Sequence, residues 1–139
     1  MPKAADITTK RMIGGAPEVW AKWTTLLASI TACEIIASEF QWLGRASDVV
    51  LRVRSPETGE FILIIEVQLY FDPAMPVRLR AYSGLAEEKY GLPVYPVVIY
   101  LRPPRPGTQI VERYESNFLG LQARQDFRVI FSRHQGLGN

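Results

Sequence analysis

Three residues suited to hydrolytic or metal chemistry stand near the middle of the 139-residue chain: Asp48, Glu66 and Gln68. Glu66 and Gln68 close the otherwise apolar run EFILIIEVQL (Glu60 to Leu69). A spacing of two places both side chains on one face of an extended segment. Asp48 opens a stretch to Arg54 in which Val49, Leu51 and Val53 alternate with Asp48, Arg52 and Arg54, the pattern of a half-buried strand. SPETG (Ser55 to Gly59) has turn composition, and so short a connection makes the two strands antiparallel. If all five residues form the loop, Arg54 pairs with Glu60 and Asp48 falls opposite Glu66. A four-residue loop pairs Val49 with Glu66 and turns Asp48 to the other face. Convergence therefore predicts an odd-length loop or a bulge. The opposite charges of Arg54 and Glu60 favour the five-residue choice.

Two carboxylates brought together at a sheet end repel one another, and a divalent cation relieves that repulsion. An all-oxygen site suits Mg²⁺ or Mn²⁺. Such an ion lowers the pKa of a bound water and stabilises charge on a phosphodiester oxygen. The Gln68 amide can orient a water or donate to a phosphate, but it does not titrate and cannot be a general base. The same spacing also fits acids that are simply solvated strand ends, and D…ExQ alone does not decide between the two.

The elements around these residues predict a mixed α/β arrangement. Pro17 to Ile30 carries Trp20, Trp23, Leu27 and Ile30 at helical spacing, with Pro17 and Glu18 suited to a first turn. That stripe reads as core. CEIIASEFQWL (Cys33 to Leu43) fits either a strand or a helix, with a helix around Ile35 to Gln41 favoured. Glu60 to Leu69 is apolar on both parities and should be a central strand covered on both faces. Asp72 as N-cap and Pro73 as first residue start a second helix, which Gly91 and Pro93 end. Arg78, Tyr82 and Ala86 share one of its stripes. Val94 to Leu101 reads as a buried strand with an irregular start at Pro96. RPPRPG (Arg102 to Gly107) makes a stiff loop. Gln109 to Tyr114 and Phe127 to Ser132 read as strands with a helical or irregular stretch between them, and residues 133–139 as a frayed tail. The order helix, strand, strand, helix, strand gives a sandwich of a mixed sheet flanked by helices.

These segments together resemble the PD-(D/E)XK nuclease superfamily and, within it, the Rpn-like recombination-promoting nucleases and transposase-like proteins. RASDVVLRV, FILIIEVQL, MPVRLRAY and YGLPVYPVVIYL carry the resemblance from Ser47 to Leu101, and ADITTKRMIGGAPEVWAKW is similar to small cyanobacterial members. The likeness implies a restriction-endonuclease-like fold and hydrolysis of DNA with Mg²⁺ or Mn²⁺ as cofactor and no organic cofactor. It makes Asp48 the metal-binding acid, Glu66 the acid of the ExK motif and Gln68 the occupant of its Lys position. Rpn-like proteins share that last departure, which removes a positive charge from beside the phosphate. A helix acid often completes the metal site in this superfamily; Glu39 is the candidate and Glu34 the reserve. Arg78 and Tyr82 match the family's R…Y pair. Four residues apart, they share one helical face, where Arg78 could restore positive charge or the pair could serve the fold.

Composition sets the outer bounds. The length suits one domain spanning 1–139, and 47% hydrophobic residues supply a core for it. No apolar run approaches the roughly 20 residues of a membrane span, and the first residues show no secretory signal. A lone cysteine, Cys33, fits a reducing cytoplasm and lacks the nearby histidine of a nucleophile. His134 lies in the tail and is assigned nothing. With a net charge of +2, any phosphate-binding surface must come from local clustering. Arg78, Arg80, Lys89, Arg102 and Arg105 are the candidates. No base-reading motif is present, so little sequence specificity is expected. Cutting both strands of a duplex would call for a homodimer. The rival expectations are a nuclease-fold binding module without useful turnover, and an assembly protein using Trp42 and the aromatics from Tyr95 to Tyr100.

Overall fold

The run that is apolar on both parities becomes the centre of the fold. In a computed structural model, which describes residues 13, 15–36 and 48–132 (Asp48 by its backbone), Gly59–Gln68 forms strand β3. It lies third in a five-stranded mixed sheet whose other members are β1 (Ala32–Ile35), β2 (Asp48–Ser55), β4 (Val94–Tyr100) and β7 (Arg128–Phe131), in the order β1-β2-β3-β4-β7. Both faces of β3 are covered. Leu63, Ile65 and Val67 pack with Leu51, Val53, Val97 and Ile99 beneath Trp20 and Ala21 of helix α1 (Pro17–Thr25). Ile62 and Ile64 turn the other way, onto Tyr82 and Ala86 of helix α2 (Met75–Tyr90). Burying side chains of this size stabilises the fold by roughly 1.5–3 kcal/mol each. The expected sandwich of a mixed sheet flanked by helices is therefore present.

The hairpin has the register that convergence required. Ser55 pairs with Gly59, Arg54 with Glu60 and Asp48 with Glu66. The loop inside the last pair is Pro56 to Thr58. Thr58 N–H donates to the Ser55 carbonyl at 3.3 Å, and Gly59 takes φ +72°. A turn followed by a left-handed glycine is the usual three-residue hairpin closure, and it keeps the odd count. The Arg54–Glu60 pair closes to 3.4 Å.

Helix α1 is shorter than its apolar stripe suggests. The Thr24 and Thr25 hydroxyls bond back to the Trp20 and Ala21 carbonyls at 2.8 and 2.7 Å, and Leu26 ends the helix at φ +62°. Threonine hydroxyls compete with the helical ladder in this way. Ile30 is nonetheless buried, beyond the helix. The favoured helix from Ile35 is not found at its first residues. Ile35 belongs to β1 and pairs antiparallel with Leu51, and Ile36 N–H donates to the Val50 carbonyl at 2.9 Å. The rest of that segment, Glu39 and Trp42 included, lies outside the described residues, as does the tail with His134.

Helix α2 starts later than Asp72 and Pro73 suggest. Ala74 is the N-cap and Pro76 sits within the first turn, while Asp72 accepts the Ala74 N–H at 2.9 Å and so organises the approach. Gly91 ends the helix at φ +66°. The crossover returns β4 parallel to β3, as expected. Pro96 causes no irregularity, because Ile64 pairs with it inside a continuous ladder. Ile62 N–H bonds the Pro93 carbonyl and Leu101 N–H bonds the Gln68 carbonyl, so odd-numbered amides of β4 face β3. Pro96 thus presents its missing N–H on the β7 side, ahead of the first β4–β7 pair, Val97 with Arg128.

The region between Tyr114 and Phe127 differs most from expectation. It forms a hairpin of its own, β5 (Arg113–Phe118) with β6 (Leu121–Asp126), rather than a helical or irregular stretch. Leu119 and Gly120 both take positive φ in its two-residue turn. Its strands are polar and largely exposed, so no apolar alternation marks them. Arg80 of α2 holds the hairpin by donating to the Tyr114 hydroxyl at 2.6 Å, with its guanidinium 4.5 Å from the ring centroid. No helix among the described residues is long and apolar enough to cross a membrane.

Candidate active site

Glu66 is the second-to-last carboxylate-or-amide position of β3 on the α2 face, and it is fully buried. A buried carboxylate is costly unless polar groups surround it. Here the chain provides them from two elements. Gln68, two residues along the same strand, donates from Nε2 to Glu66 Oε1 at 2.8 Å. Arg78, one turn into α2, donates from Nη1 to the same oxygen at 3.2 Å. The second Arg78 nitrogen, Nη2, reaches Asp72 Oδ2 at 3.2 Å. One guanidinium thus bridges two carboxylates, the use for which its planar fork is suited.

Asp48 is placed opposite Glu66 by the backbone register. The formal charges of Glu66 and Asp72 exceed that of Arg78, which bridges them, by one. This cluster is rich in hard oxygen donors and short of positive charge, which is the donor chemistry that Mg²⁺ or Mn²⁺ accepts. Among the described residues no three His, Cys, Asp or Glu side chains are grouped closely enough to form a complete metal cage. The residues fit a partial site whose remaining ligands would be water or substrate oxygens.

The other candidates separate into those near this cluster and those elsewhere. Tyr82 is 1% exposed and packs with Val50, Ile62, Ile64 and Ala86, so it belongs to the core under the sheet. Glu34 pairs with Arg52 across β1 and β2 in a contact of 3.8 Å. Arg52 stands four residues along β2 from Asp48, roughly 13 Å at strand rise, so the reserve acid is not at the site. Glu39 lies outside the described residues. Arg80 is engaged by Tyr114, and Lys89 lies toward the far end of α2, 5.6 Å from the Tyr90 ring. Tyr100 is buried and Tyr95 half-buried, so the aromatics of β4 are core rather than an assembly surface. Tyr100 is pushed up to about 12, mainly by burial. The Cys33 thiol is raised to about 11 by burial and then by Glu18 and Glu34, which removes it as a nucleophile near neutral pH.

Asp72 is the site member that sequence reasoning missed. It reads as a helix cap, and its Oδ1 does serve the helix start, but Oδ2 fixes Arg78. Its spacing of six from Arg78 bridges the loop–helix junction and follows no helical periodicity, so no sequence signal links the two.

No protein-family model matches the chain, and no curated protein matches it. Among solved structures, EndoMS in its apo form is similar, with 18% identity and a TM-score of 0.42 over 75% of this chain and 39% of that one. The chain thus spans well under half the length of that protein.

Proposed function

We propose that this chain is a PD-(D/E)XK-type, Rpn-like nuclease that hydrolyses DNA phosphodiester bonds with little sequence preference, using Mg²⁺ or Mn²⁺. The observation that carries the reading is the register: Asp48 falls opposite a fully buried Glu66 at the end of the central strand. A carboxylate held there, with a glutamine and an arginine aimed at it, is difficult to explain as a solvated strand end. It serves no packing purpose that an apolar residue would not serve better.

Asp48 and Glu66 are the residues that would hold the cation. When bound, the cation would supply Lewis acidity and a water of lowered pKa. The protein groups have their own tasks. Arg78, bridging Glu66 and Asp72, fixes the Glu66 carboxylate against rotation and keeps positive charge beside the strand end. Gln68 binds Glu66 through Nε2, which fixes the amide and directs its oxygen away from that bond. As an acceptor that oxygen can orient a water, but it cannot take its proton. Arg78 is closer than Gln68 to supplying the charge that a lysine would bring, although its engagement with two carboxylates restrains its reach.

The test is cleavage of plasmid DNA in Mg²⁺ and in Mn²⁺, with Mn²⁺ binding measured by calorimetry as a second readout. Asp48→Asn and Glu66→Gln should each lower cleavage by about 100-fold or more and weaken Mn²⁺ binding. Undiminished metal-dependent cutting by either variant would refute the assignment. Gln68 and the doubly engaged Arg78 favour a second reading, a nuclease-fold module that binds DNA without turnover. DNA binding by the wild-type protein without cleavage in Mn²⁺ selects it. In the first reading we also place the chain in the cytoplasm as one nuclease domain, with a homodimer where both strands are cut.

A further inference from the structure

The sheet end that holds Glu66 and Gln68 continues past the strands in an ordered way. β3 and β4 end in register at Gln68 and Tyr100. Leu101 N–H then donates to the Gln68 carbonyl at 2.9 Å and Arg102 N–H to the Leu69 carbonyl at 3.1 Å, so the two chains leave the sheet still paired. Tyr70 and Arg102 emerge there side by side. The Arg102 guanidinium carbon lies 5.8 Å from the Tyr70 ring centroid.

The neighbours of Tyr70 are fixed on both sides. Phe71 turns inward against Tyr100, with ring centroids 5.5 Å apart, and Tyr100 stacks on Phe131 at 5.4 Å. Asp72 is held by Ala74 and Arg78. With Gln68 paired in β3 and Phe71 pinned in the core, Tyr70 must point outward, and it is 56% exposed. It stands two residues from Gln68, roughly 7 Å along an extended chain. Arg102 makes no ion pair with a carboxylate among the described residues, whereas Arg52, Arg54, Arg78, Arg113 and Arg124 all do.

A ring 56% exposed with a guanidinium near it that pairs with no described carboxylate, on segments held through Gln68, Leu69 and Phe71, offers a π-face for a nucleobase and a charge for its phosphate. In an intact duplex the base faces are covered by their stacked neighbours. Away from a duplex end, a tyrosine at the rim can therefore stack only on an unpaired base. The geometry points to Tyr70 and Arg102 as a stacking rim that binds a single-stranded segment of nucleic acid at the mouth of the candidate active site. The inference takes its ligand class from the nuclease reading and narrows it from DNA in general to an unpaired stretch.

Fluorescence anisotropy in EDTA tests binding without cleavage, with a labelled oligothymidylate of about 12 nucleotides and its duplex with oligodeoxyadenylate as probes. The wild-type protein should prefer the single strand. Tyr70→Ala should weaken single-strand binding about ten-fold, the loss of one base–aromatic stack, and leave duplex binding unchanged. Tyr70→Phe, which keeps the ring, should bind as the wild type does. Equal losses on both probes, no loss on the single strand, or no single-strand binding by the wild type would each overturn the inference. The nuclease reading fails by a different result, since Tyr70-dependent binding with no cleavage in Mg²⁺ or Mn²⁺ removes the activity and keeps the rim.

Discussion

Removing the Arg78 guanidinium should be among the most damaging single changes at this site. Arg78 is 11% exposed and its partner Glu66 is 0% exposed, so the ion pair is screened little by solvent. Arg78→Ala leaves the Glu66 carboxylate with the Gln68 amide as its neutral donor in β3. Breaking a buried pair from one side costs about 3–5 kcal/mol, because a charge is left uncompensated. The retained Gln68 bond places the expectation at the lower end, about 3 kcal/mol. With a urea m-value of about 2 kcal/mol per molar, the unfolding midpoint should fall by roughly 1.5 M. Glu66→Gln alone should cost less, since Arg78 keeps Asp72 at 3.2 Å. In the double variant Arg78→Ala/Glu66→Gln the buried charge at position 66 is gone together with its partner, so its loss should fall short of the sum of the singles by at least about 1 kcal/mol. Urea unfolding of the four proteins closes this cycle. Additive losses, or an Arg78→Ala cost below about 0.5 kcal/mol, would show that the guanidinium does not compensate Glu66 and would refute the electrostatic account.

Two further expectations concern the scaffold. Gly59→Ala should destabilise by about 1 kcal/mol, since φ is +72° with no atom within 4 Å to add a steric cost, whereas Gly84→Ala on the exposed face of α2 should stabilise by about 0.5–1 kcal/mol; thermal melts of both variants check the opposite signs. The Cys33 thiol, raised from 9.0 to about 11, should hold about 100-fold less thiolate at pH 8 than an unperturbed thiol. Its folded state favours the protonated form, so its contribution to stability is intact below about pH 9 and lost as pH rises through about 11. Alkylation by iodoacetamide across pH 7–11 reads this directly, and a reactivity midpoint near 9 would contradict it.

The hairpin at the site was legible because its information is local. An apolar run on both parities, an alternating partner and a short turn made the antiparallel pairing legible, the Arg54 and Glu60 charges favoured the odd loop, and the register of Asp48 with Glu66 agrees with it. The parallel return of β4 followed from the helix between the strands. Where the reading went astray, the local signal was weak or shared. The β5–β6 hairpin lacks apolar alternation and turns on Leu119 and Gly120 rather than on asparagine or aspartate before glycine. The segment from Cys33 fits helix and strand alike, and pairing with the exposed edge of β2 decided its first residues in favour of a strand.

The sequence by itself determined that one polar cluster would form at the end of an apolar strand, because spacing and strand period leave Glu66 and Gln68 no other relation. Tertiary structure decided what surrounds it. Only the packing of α2 on the sheet brings the Arg78 guanidinium to Glu66, draws Asp72 into the same network and sends Tyr82, its partner on the helix stripe, into the core. Those relations depend on where a helix lies above a sheet. That position is set by the fit of Met75, Leu79, Tyr82 and Ala86 against β2, β3 and β4, and no periodicity along the chain encodes it.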